Sequence, residues 1–188
     1  MARTDTSTTR IAGGGLAGGI AAWILGYLVV FVLHGSNIRN SFGTEVLELF
    51  TDDPVTWKLV GWLFYNAHNV AVQVPGILGI GGGSVNFVSG AEEASLTVLF
   101  LVPPLLLLAA GVVAAWNTAD EPTTAARNGA GITLGYFPLS LAGAFLFSIG
   151  GEDAAGPVLV TAALLAGLVY PLVFGAIGGL VGGHVSAD

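Results

Sequence analysis

The stretch GWLFYNAHNVAVQVPGILGIGGG, residues 61–83, contains no Lys, Arg, Asp or Glu. It is long enough to cross a bilayer, because a helix needs roughly 20 apolar residues to span a ~30 Å hydrocarbon core. Near its middle, however, lie four polar side chains: Asn66, His68, Asn69 and Gln73. Because a buried amide without a partner costs several kcal/mol in hydrocarbon, these side chains need partners inside the protein or contact with water.

The rest of the chain is also strongly apolar. Of its 188 residues, 54% are hydrophobic and 9% are charged, and the mean hydropathy is +0.81. The charges gather in clusters and leave long uncharged intervals between them. We therefore predict an all-α, multi-pass protein of the cell membrane, in which about five transmembrane helices form one integral-membrane domain over residues 1–188. The predicted spans are 12–33, 59–80, 96–116, 132–149 and 158–181.

The second predicted span, 59–80, is the least regular of the five. Its polar residues and Pro75 leave open a re-entrant or tilted segment, because irregular backbone at membrane depth is tolerated only where protein shields it from lipid. The two alternatives differ in topology. If the N-terminus is cytoplasmic, five full spans place Asp188 outside, whereas a re-entrant second segment returns it to the cytoplasm.

A short amphipathic helix is predicted over about 42–51, in the longest connection between spans. Its apolar residues recur at helical spacing, and an Asp-Asp-Pro turn follows it. These apolar residues are Phe42, Val46, Leu49 and Phe50. We expect this helix to lie in the membrane interface, where it either caps the bundle or acts as a gate or docking element.

Small residues mark the faces along which the helices are expected to pack. The first span carries Gly15, Gly19, Ala22 and Gly26 along one side, the fourth carries Gly131 and Gly135, and the last carries Gly175, Gly179 and Gly183. In lipid, helices associate through close backbone approach rather than through the hydrophobic effect. We therefore expect the first and last helices to pack tightly, either against each other or across a homo-oligomer.

The charge balance bears on the partners of the protein. Twelve Asp and Glu against five Lys and Arg give a formal net charge of −7, which argues against nucleic acid because its binding needs a basic surface. The expected partners are the lipid bilayer, further copies of the chain or a larger membrane complex. The acidic connections TDD, AEEA, ADE and GED, together with the Gly-, Ala- and Val-rich spans, resemble haloarchaeal multi-pass membrane proteins of unknown function. The resemblance implies a helical membrane fold and a salt-rich habitat.

Helical geometry groups the polar residues of the second predicted span. At about 100° per residue, Asn66, Asn69 and Gln73 fall with Lys58 and Trp62 within an arc of about 80°, which would form a polar stripe. His68 would project from the opposite face. The residues expected to face the stripe from other spans are Tyr136 and Ser140, on either side of Pro138, and Tyr170, next to Pro171. Proline frees a backbone carbonyl that can bind a ligand or allow a bend.

The stripe has two functional interpretations. It either forms a conduit or sensor for a small solute or ion, or it supplies hydrogen bonds between helices in a non-catalytic structural or assembly subunit. His68 is correspondingly either a neutral structural residue or a proton relay or pH-gated position.

Enzymatic activity is not predicted. The chain has no Cys, no His-Glu-x-x-His or Gly-x-Ser-x-Gly motif and no pair of intramembrane acids. We accordingly predict no catalytic residues, no metal site and no other cofactor.

Overall fold

The computed structural model describes residues 3–41, 44–45, 48, 54–76, 82–91, 94–116, 121–151 and 154–185, with side chains from residue 14 onward. The helices are α1 (Arg3–Arg39), α2 (Thr56–Asn66), α3 (Ala94–Ala115), α4 (Pro122–Ala130), α5 (Thr133–Leu146) and α6 (Leu159–Val185). The strands are β1 (Val72–Val74), β2 (Gly83–Val85) and β3 (Gly156–Pro157). The interfacial helix predicted over about 42–51 lies mostly outside the described residues.

Four helical segments among the described residues are long and apolar enough to cross a membrane. They are Gly14–Arg39, Ala94–Ala115, Pro122–Leu146 and Leu159–Val185, and the third combines α4 with α5. Their outward faces carry large apolar side chains, including Val32 at 80% exposure and Val113 at 73%. Such extensive exposed apolar surface fits contact with lipid better than contact with water. Four of the five predicted spans fall on these segments.

The second predicted span, 59–80, is corrected by the structure. Its helix, α2, ends at Asn66 after 11 residues, and a turn and the strand β1 follow it. The turn contains Asn69 at φ +59°, a left-handed conformation that Asn tolerates better than most residues and that stops a right-handed helix. The β-branched Val72 and Val74 then favour an extended strand. The prediction of five full-length transmembrane helices was therefore wrong in this segment.

A small sheet also departs from the all-α prediction. Its strand order is β2-β1-β3, and both pairings are antiparallel. Gln73 in β1 lies opposite Ser84 in β2 and Gly156 in β3, and Val158 N–H donates to Ala71 O over 2.9 Å. The sheet thus joins the segment after α2 to the beginning of α6. We call the described residues 54–76 and 82–91 the insert.

Glycine faces bring α1 and α5 into backbone contact. A Cβ on Gly19 would lie 1.9 Å from Ile132 O, and one on Gly135 would lie 2.1 Å from Leu16 O. Farther along the pair, a Cβ on Gly143 would meet the ring of Trp23 at 2.6 Å. These contacts occur in the same order along both helices, so α1 and α5 run parallel.

The glycine face of α6 packs against α3 and α4. A Cβ on Gly178 would lie 2.2 Å from Leu108 O, and one on Gly179 would lie 2.3 Å from Ala125 O. The small-residue faces of the first and last helices are therefore used on different neighbours. Within one chain these two faces do not meet each other, because α4 and α5 present glycines to both. The alternative, that the first and last helices pack across a homo-oligomer, stays a prediction.

The four long segments alternate in direction. Against the parallel pair of α1 and α5, α3 runs opposite to α1, since Leu106 contacts the Gly26 position and Ala110 the Gly18 position. The helix α6 runs parallel to α3, with the Gly182 position against Val112 one turn after the Gly178 position against Leu108. The start of α1 and the end of α6 thus lie at one end of the bundle, and the insert enters from the other end.

Candidate functional site

The end of α2 is the most deeply buried part of the insert. Phe64, Tyr65, Asn66, Ala67 and His68 all have 0% exposure. The Phe64 ring would lie 2.8 Å from a Cβ on Gly26 of α1, and its centroid lies 4.8 Å from that of the His68 ring. The tip of the insert therefore lies between the long helices, where their packing shields its irregular backbone.

His68 makes two short hydrogen bonds. Its Nδ1 lies 2.7 Å from Phe64 O, and its Nε2 lies 2.7 Å from the hydroxyl of Tyr136 in α5. Because a carbonyl oxygen only accepts, the Nδ1 atom must carry a proton and donate it. In a neutral imidazole, Nε2 then accepts the hydroxyl proton of Tyr136. The arrangement satisfies both ring nitrogens without a charge.

A second hydrogen-bonded pair, Asn69 and Tyr170, lies beside His68 on the side of the surface. Asn69 Nδ2 donates to the Tyr170 hydroxyl over 2.8 Å, and the Tyr170 ring centroid lies 5.1 Å from that of His68. Asn69 is exposed, whereas His68 is completely buried. We call His68, Asn69, Tyr136 and Tyr170 the His68 cluster. It brings an exposed amide close to a fully buried imidazole through the Tyr170 ring, which contacts the His68 ring.

The backbone around the cluster is unusual in two places. Asn69 has a positive φ, and Tyr170 directly follows a π-helical segment, Ala162–Val169, within α6. Pro171 lacks the N–H that would bond to the preceding turn. Single π-helical turns and left-handed non-glycine residues are found often at functional sites. Both irregularities flank the same hydrogen bond, between Asn69 and Tyr170.

Ser140 lies one turn after Tyr136 in α5 and is completely buried. Its carbonyl accepts a hydrogen bond from the Tyr65 hydroxyl, but its Oγ has no partner among the described residues. Tyr65 was not among the residues that the sequence singled out. It lies next to Asn66 in an apolar helix, and a buried tyrosine gives no sequence signal of its own beyond the need of its hydroxyl for a partner.

Asn66 and Gln73, the other two members of the predicted stripe, lie elsewhere. Asn66 Nδ2 donates to Val70 O over 2.8 Å, and its Oδ1 accepts from Phe87 N over 2.9 Å. Gln73 is exposed on the sheet, where its Oε1 accepts from Ser84 Oγ over 2.9 Å. The predicted stripe therefore does not exist as one helical face, because α2 ends at Asn66 before Asn69 and Gln73 are reached. For the same reason His68 lies beside Asn69 rather than opposite it.

Asn66 has a structural part in placing the site. Its side chain closes the turn after α2 and holds the turn after β2, while Asn86 Nδ2 donates back to Asn66 O over 3.1 Å. Asn86 Oδ1 also accepts from Val88 N and Ser89 N, both over 3.0 Å. Asn86 was not predicted from the sequence, although an Asn at the start of a turn commonly bonds the backbone that follows it. These bonds fix the loop that carries His68.

The chemistry of the cluster is that of hydrogen bonding and proton exchange. No Asp, Glu, Lys or Arg is among the buried side chains of the described chain. Within that same part of the chain, no three His, Asp or Glu side chains converge on one point. The groups that face His68 are the carbonyl of Phe64 and the rings of Tyr65, Tyr136 and Tyr170. The cluster therefore offers one imidazole among hydroxyl and amide groups.

Taken together, the described elements define a helical protein with four candidate membrane spans and an inserted helix-and-hairpin unit that carries a buried polar cluster. The chain belongs to DUF7978, a family of unknown function, whose match covers residues 1–186. No curated protein and no solved structure is significantly similar to it. The matched range includes the insert.

Proposed function

We propose that the protein is a multi-pass integral membrane protein with four spans, formed by α1, α3, α4 with α5, and α6. The length and hydropathy of these segments and their outward apolar side chains support this placement. The insert would then be a re-entrant unit that enters from one side of the membrane. Tags at the two ends of the chain should be found on the same side in intact cells, because the number of spans is even. Tags on opposite sides would contradict four spans.

We further propose that the insert forms a sensor for a small solute or ion, and that the proton is the ion to which the His68 cluster is best suited. The observation that carries this proposal is the connection from exposed Asn69 through Tyr170 to completely buried His68. Burial lowers the pKa of His68 from imidazole's ordinary value of 6.5 to about 4, because it disfavours the charged ring. Falling pH therefore favours an open insert, in which the ring can take up a proton.

Protonation would change a specific contact between the insert and α5. In the neutral ring, His68 Nε2 accepts the proton of the Tyr136 hydroxyl. A protonated Nε2 donates instead, so the Tyr136 hydroxyl must direct its own proton to another acceptor. No buried carboxylate in the described chain stands ready to compensate the new charge. The charged state would therefore loosen the tip of the insert from α5 and make the position of the insert dependent on pH.

The geometry favours a sensor over a conduit. Asn66 and Ser140 have 0% exposure and Tyr136 has 1%, so the polar groups beyond His68 do not continue to a second exposed surface. Water that reaches Asn69, Gln73 and Ser84, all of them exposed, would end at the cluster. Polar residues where a water-accessible path stops can bind or sense a solute without passing it across the membrane.

The assembly subunit is the competing proposal. Its main sequence support was the abundance of glycine faces, but Gly19, Gly135, Gly178 and Gly179 all pack against backbone within the chain. They therefore provide no free surface for a partner. An assembly subunit would still use its outward apolar side chains, and it would have no need of a pH-dependent insert. The two proposals thus differ in their response to pH.

Hydrogen exchange of the insert, measured in lipid nanodiscs between about pH 5 and pH 8, separates these alternatives. After correction for intrinsic exchange, we expect residues near His68 to exchange faster as the pH falls. His68→Gln should remove this dependence, because the Gln amide can accept from Tyr136 but does not titrate. His184→Gln, the same change at an exposed position at the end of α6, is the matched control and should leave it intact.

Two outcomes would contradict the sensor. If the His68→Gln protein keeps the pH response of the parent, another group is responsible for it. If reconstituted vesicles of the parent pass protons and Tyr136→Phe stops the flux, the cluster belongs to a conduit. A parent protein with no pH response and no flux would favour the assembly subunit.

We also propose that the protein works in concentrated salt. This proposal rests on the net charge of −7 and on the acidic, lysine-poor connections. At low ionic strength their mutual repulsion opposes the compact state, and salt screens it.

A further inference from the structure

A separate pocket lies at the end of the bundle from which the insert enters. It is formed by the last turns of α1, by α2, by the turn after β2 and by the start of α3, and its volume is about 420 Å³. Small-molecule sites commonly have volumes of about 300–1,000 Å³ and mostly apolar walls with a few polar groups. The pocket shares no residue with the His68 cluster.

One wall of the pocket is aromatic and held in place. The rings of Trp62 and Phe87 stack with centroids 6.4 Å apart and planes inclined by 6°. Trp62 is fixed further, because its Nε1 donates to Phe147 O over 2.7 Å. Isoleucine and leucine side chains complete this apolar side. The wall is therefore preformed for the apolar body of a ligand.

The opposite side is polar but carries no charge. It consists of His34, Asn37, Ser41 and Thr44. Ser41 Oγ and Thr44 Oγ1 lie 2.9 Å apart, and Thr44 Oγ1 donates to Ile38 O over 2.6 Å, so these hydroxyls are already used. The His34 side chain is only 7% exposed, and it has no hydrogen bond to any part of the chain that the structure describes. Its ring nitrogens can therefore hydrogen-bond to the head of a ligand in the pocket.

The composition of the pocket selects the class of ligand. Among the residues that the structure describes, its lining contains no Lys or Arg for an anionic head and no Asp or Glu for a cationic one, and the net charge of −7 further disfavours anions. The pocket lies where α1 ends and α3 begins. Leu33, next to His34, is 52% exposed on the apolar surface. A molecule within the bilayer could therefore reach the pocket at the level of the lipid headgroups.

We propose that this pocket binds a neutral amphipathic molecule, with its apolar body against Trp62 and Phe87 and a hydroxyl or carbonyl head bonded to His34. The inference rests on the membrane placement proposed above but not on the pH response of the His68 cluster. Failure of one of the two sites would therefore leave the other untouched.

Photo-crosslinking of the full chain in nanodiscs tests the pocket. The probe is a long-chain alcohol with a diazirine in its chain, and the labelled peptides are identified by mass spectrometry. We expect saturable labelling of the segments around His34, Trp62 and Phe87. The unlabelled alcohol should compete more strongly than a carboxylic acid or an alkane of the same length, because only the alcohol has a neutral hydrogen-bonding head.

Variants then assign the head contact. His34→Phe should raise the half-saturating alcohol concentration roughly fivefold, as expected for the loss of one hydrogen bond. Leu33→Phe, the same product residue one position away on the lipid-facing surface, should not change it. Leu96→Trp, which fills the pocket from its partly buried edge, should abolish saturable labelling while the protein remains folded.

Three results would overturn the proposal. The first is labelling that spreads over all lipid-facing helices without saturation. The second is an unchanged half-saturating concentration in folded His34→Phe protein. The third is competition by the carboxylic acid that equals competition by the alcohol.

Discussion

The four long helices and the insert are held by different kinds of contact. The helices meet along repeated small residues, such as Gly19 and Gly135, where backbone touches backbone and no polar side chain is needed. The insert is held to the long helices by individual hydrogen bonds, in which Tyr65, His68 and Asn69 pair with Ser140 O, the Tyr136 hydroxyl and the Tyr170 hydroxyl. A close backbone contact is disrupted by any added atom. A hydrogen bond is lost when its donor or its acceptor is removed. Different substitutions should therefore destabilise the two regions.

The largest effect is expected at the helix contact between α1 and α5. Gly19→Ala places a Cβ 1.9 Å from Ile132 O, a backbone atom that cannot move by itself. We expect the unfolding free energy to fall by about 3 kcal/mol or more. Gly14→Ala in the same helix meets no atom within 4 Å, and it should be neutral or stabilise by up to about 1 kcal/mol. Thermal unfolding in detergent that ranks the two variants equally would refute the helix contact.

A smaller effect is expected where Asn66 holds the insert. Asn66→Leu preserves the approximate volume of the side chain but leaves Val70 O and Phe87 N without their partners. We expect a loss of about 2–4 kcal/mol, which hydrogen exchange should locate in the insert rather than in the long helices. Gln73→Leu removes one exposed hydrogen bond and should cost below about 1 kcal/mol. Equal losses for both variants would mean that Asn66 has no special part in holding the loop.

Asn69 separates backbone strain from hydrogen bonding within the insert. Both Asn69→Gly and Asn69→Ala lose the bond to the Tyr170 hydroxyl. Both must adopt the positive φ of this position, which costs about 1 kcal/mol for Ala because of its Cβ but almost nothing for Gly. We therefore expect the Gly variant to be the more stable of the two by about 1 kcal/mol in chemical unfolding. The reverse order would argue against a left-handed residue at this position.

The smallest effect should come from salt, which acts on neither kind of contact directly. Raising the ionic strength screens the net charge of −7 and should raise the unfolding temperature modestly. The increase should be similar in the parent, the Gly14→Ala variant and the Gln73→Leu variant, because these substitutions change no charge. A parent protein that is less stable in concentrated salt would contradict the proposed salt-rich habitat.

Sequence reasoning found the long helices because uncharged apolar runs and glycine spacing are local properties of the chain. It could not find the end of α2, because periodicity alone does not distinguish a short apolar strand from the continuation of a buried helix. The residues of the His68 cluster were nevertheless among those singled out, because polar groups in apolar segments need partners. Their arrangement was missed, since the contact between His68 and Tyr136 depends on a turn at Asn69 that periodicity does not reveal.

The pairing of β1 with β3 has a consequence for the order in which the protein is made. Val72 pairs with Pro157, and Ala71 O accepts a hydrogen bond from Val158 N. The insert therefore depends on residues that are synthesised after α5. Chains fold largely from the N-terminus as they emerge from the ribosome, and contacts distant in sequence form late. The insert therefore gains its last partners, Pro157 and Tyr170, only after α5 has been synthesised. The His68 cluster is therefore completed only when the final helix has been made.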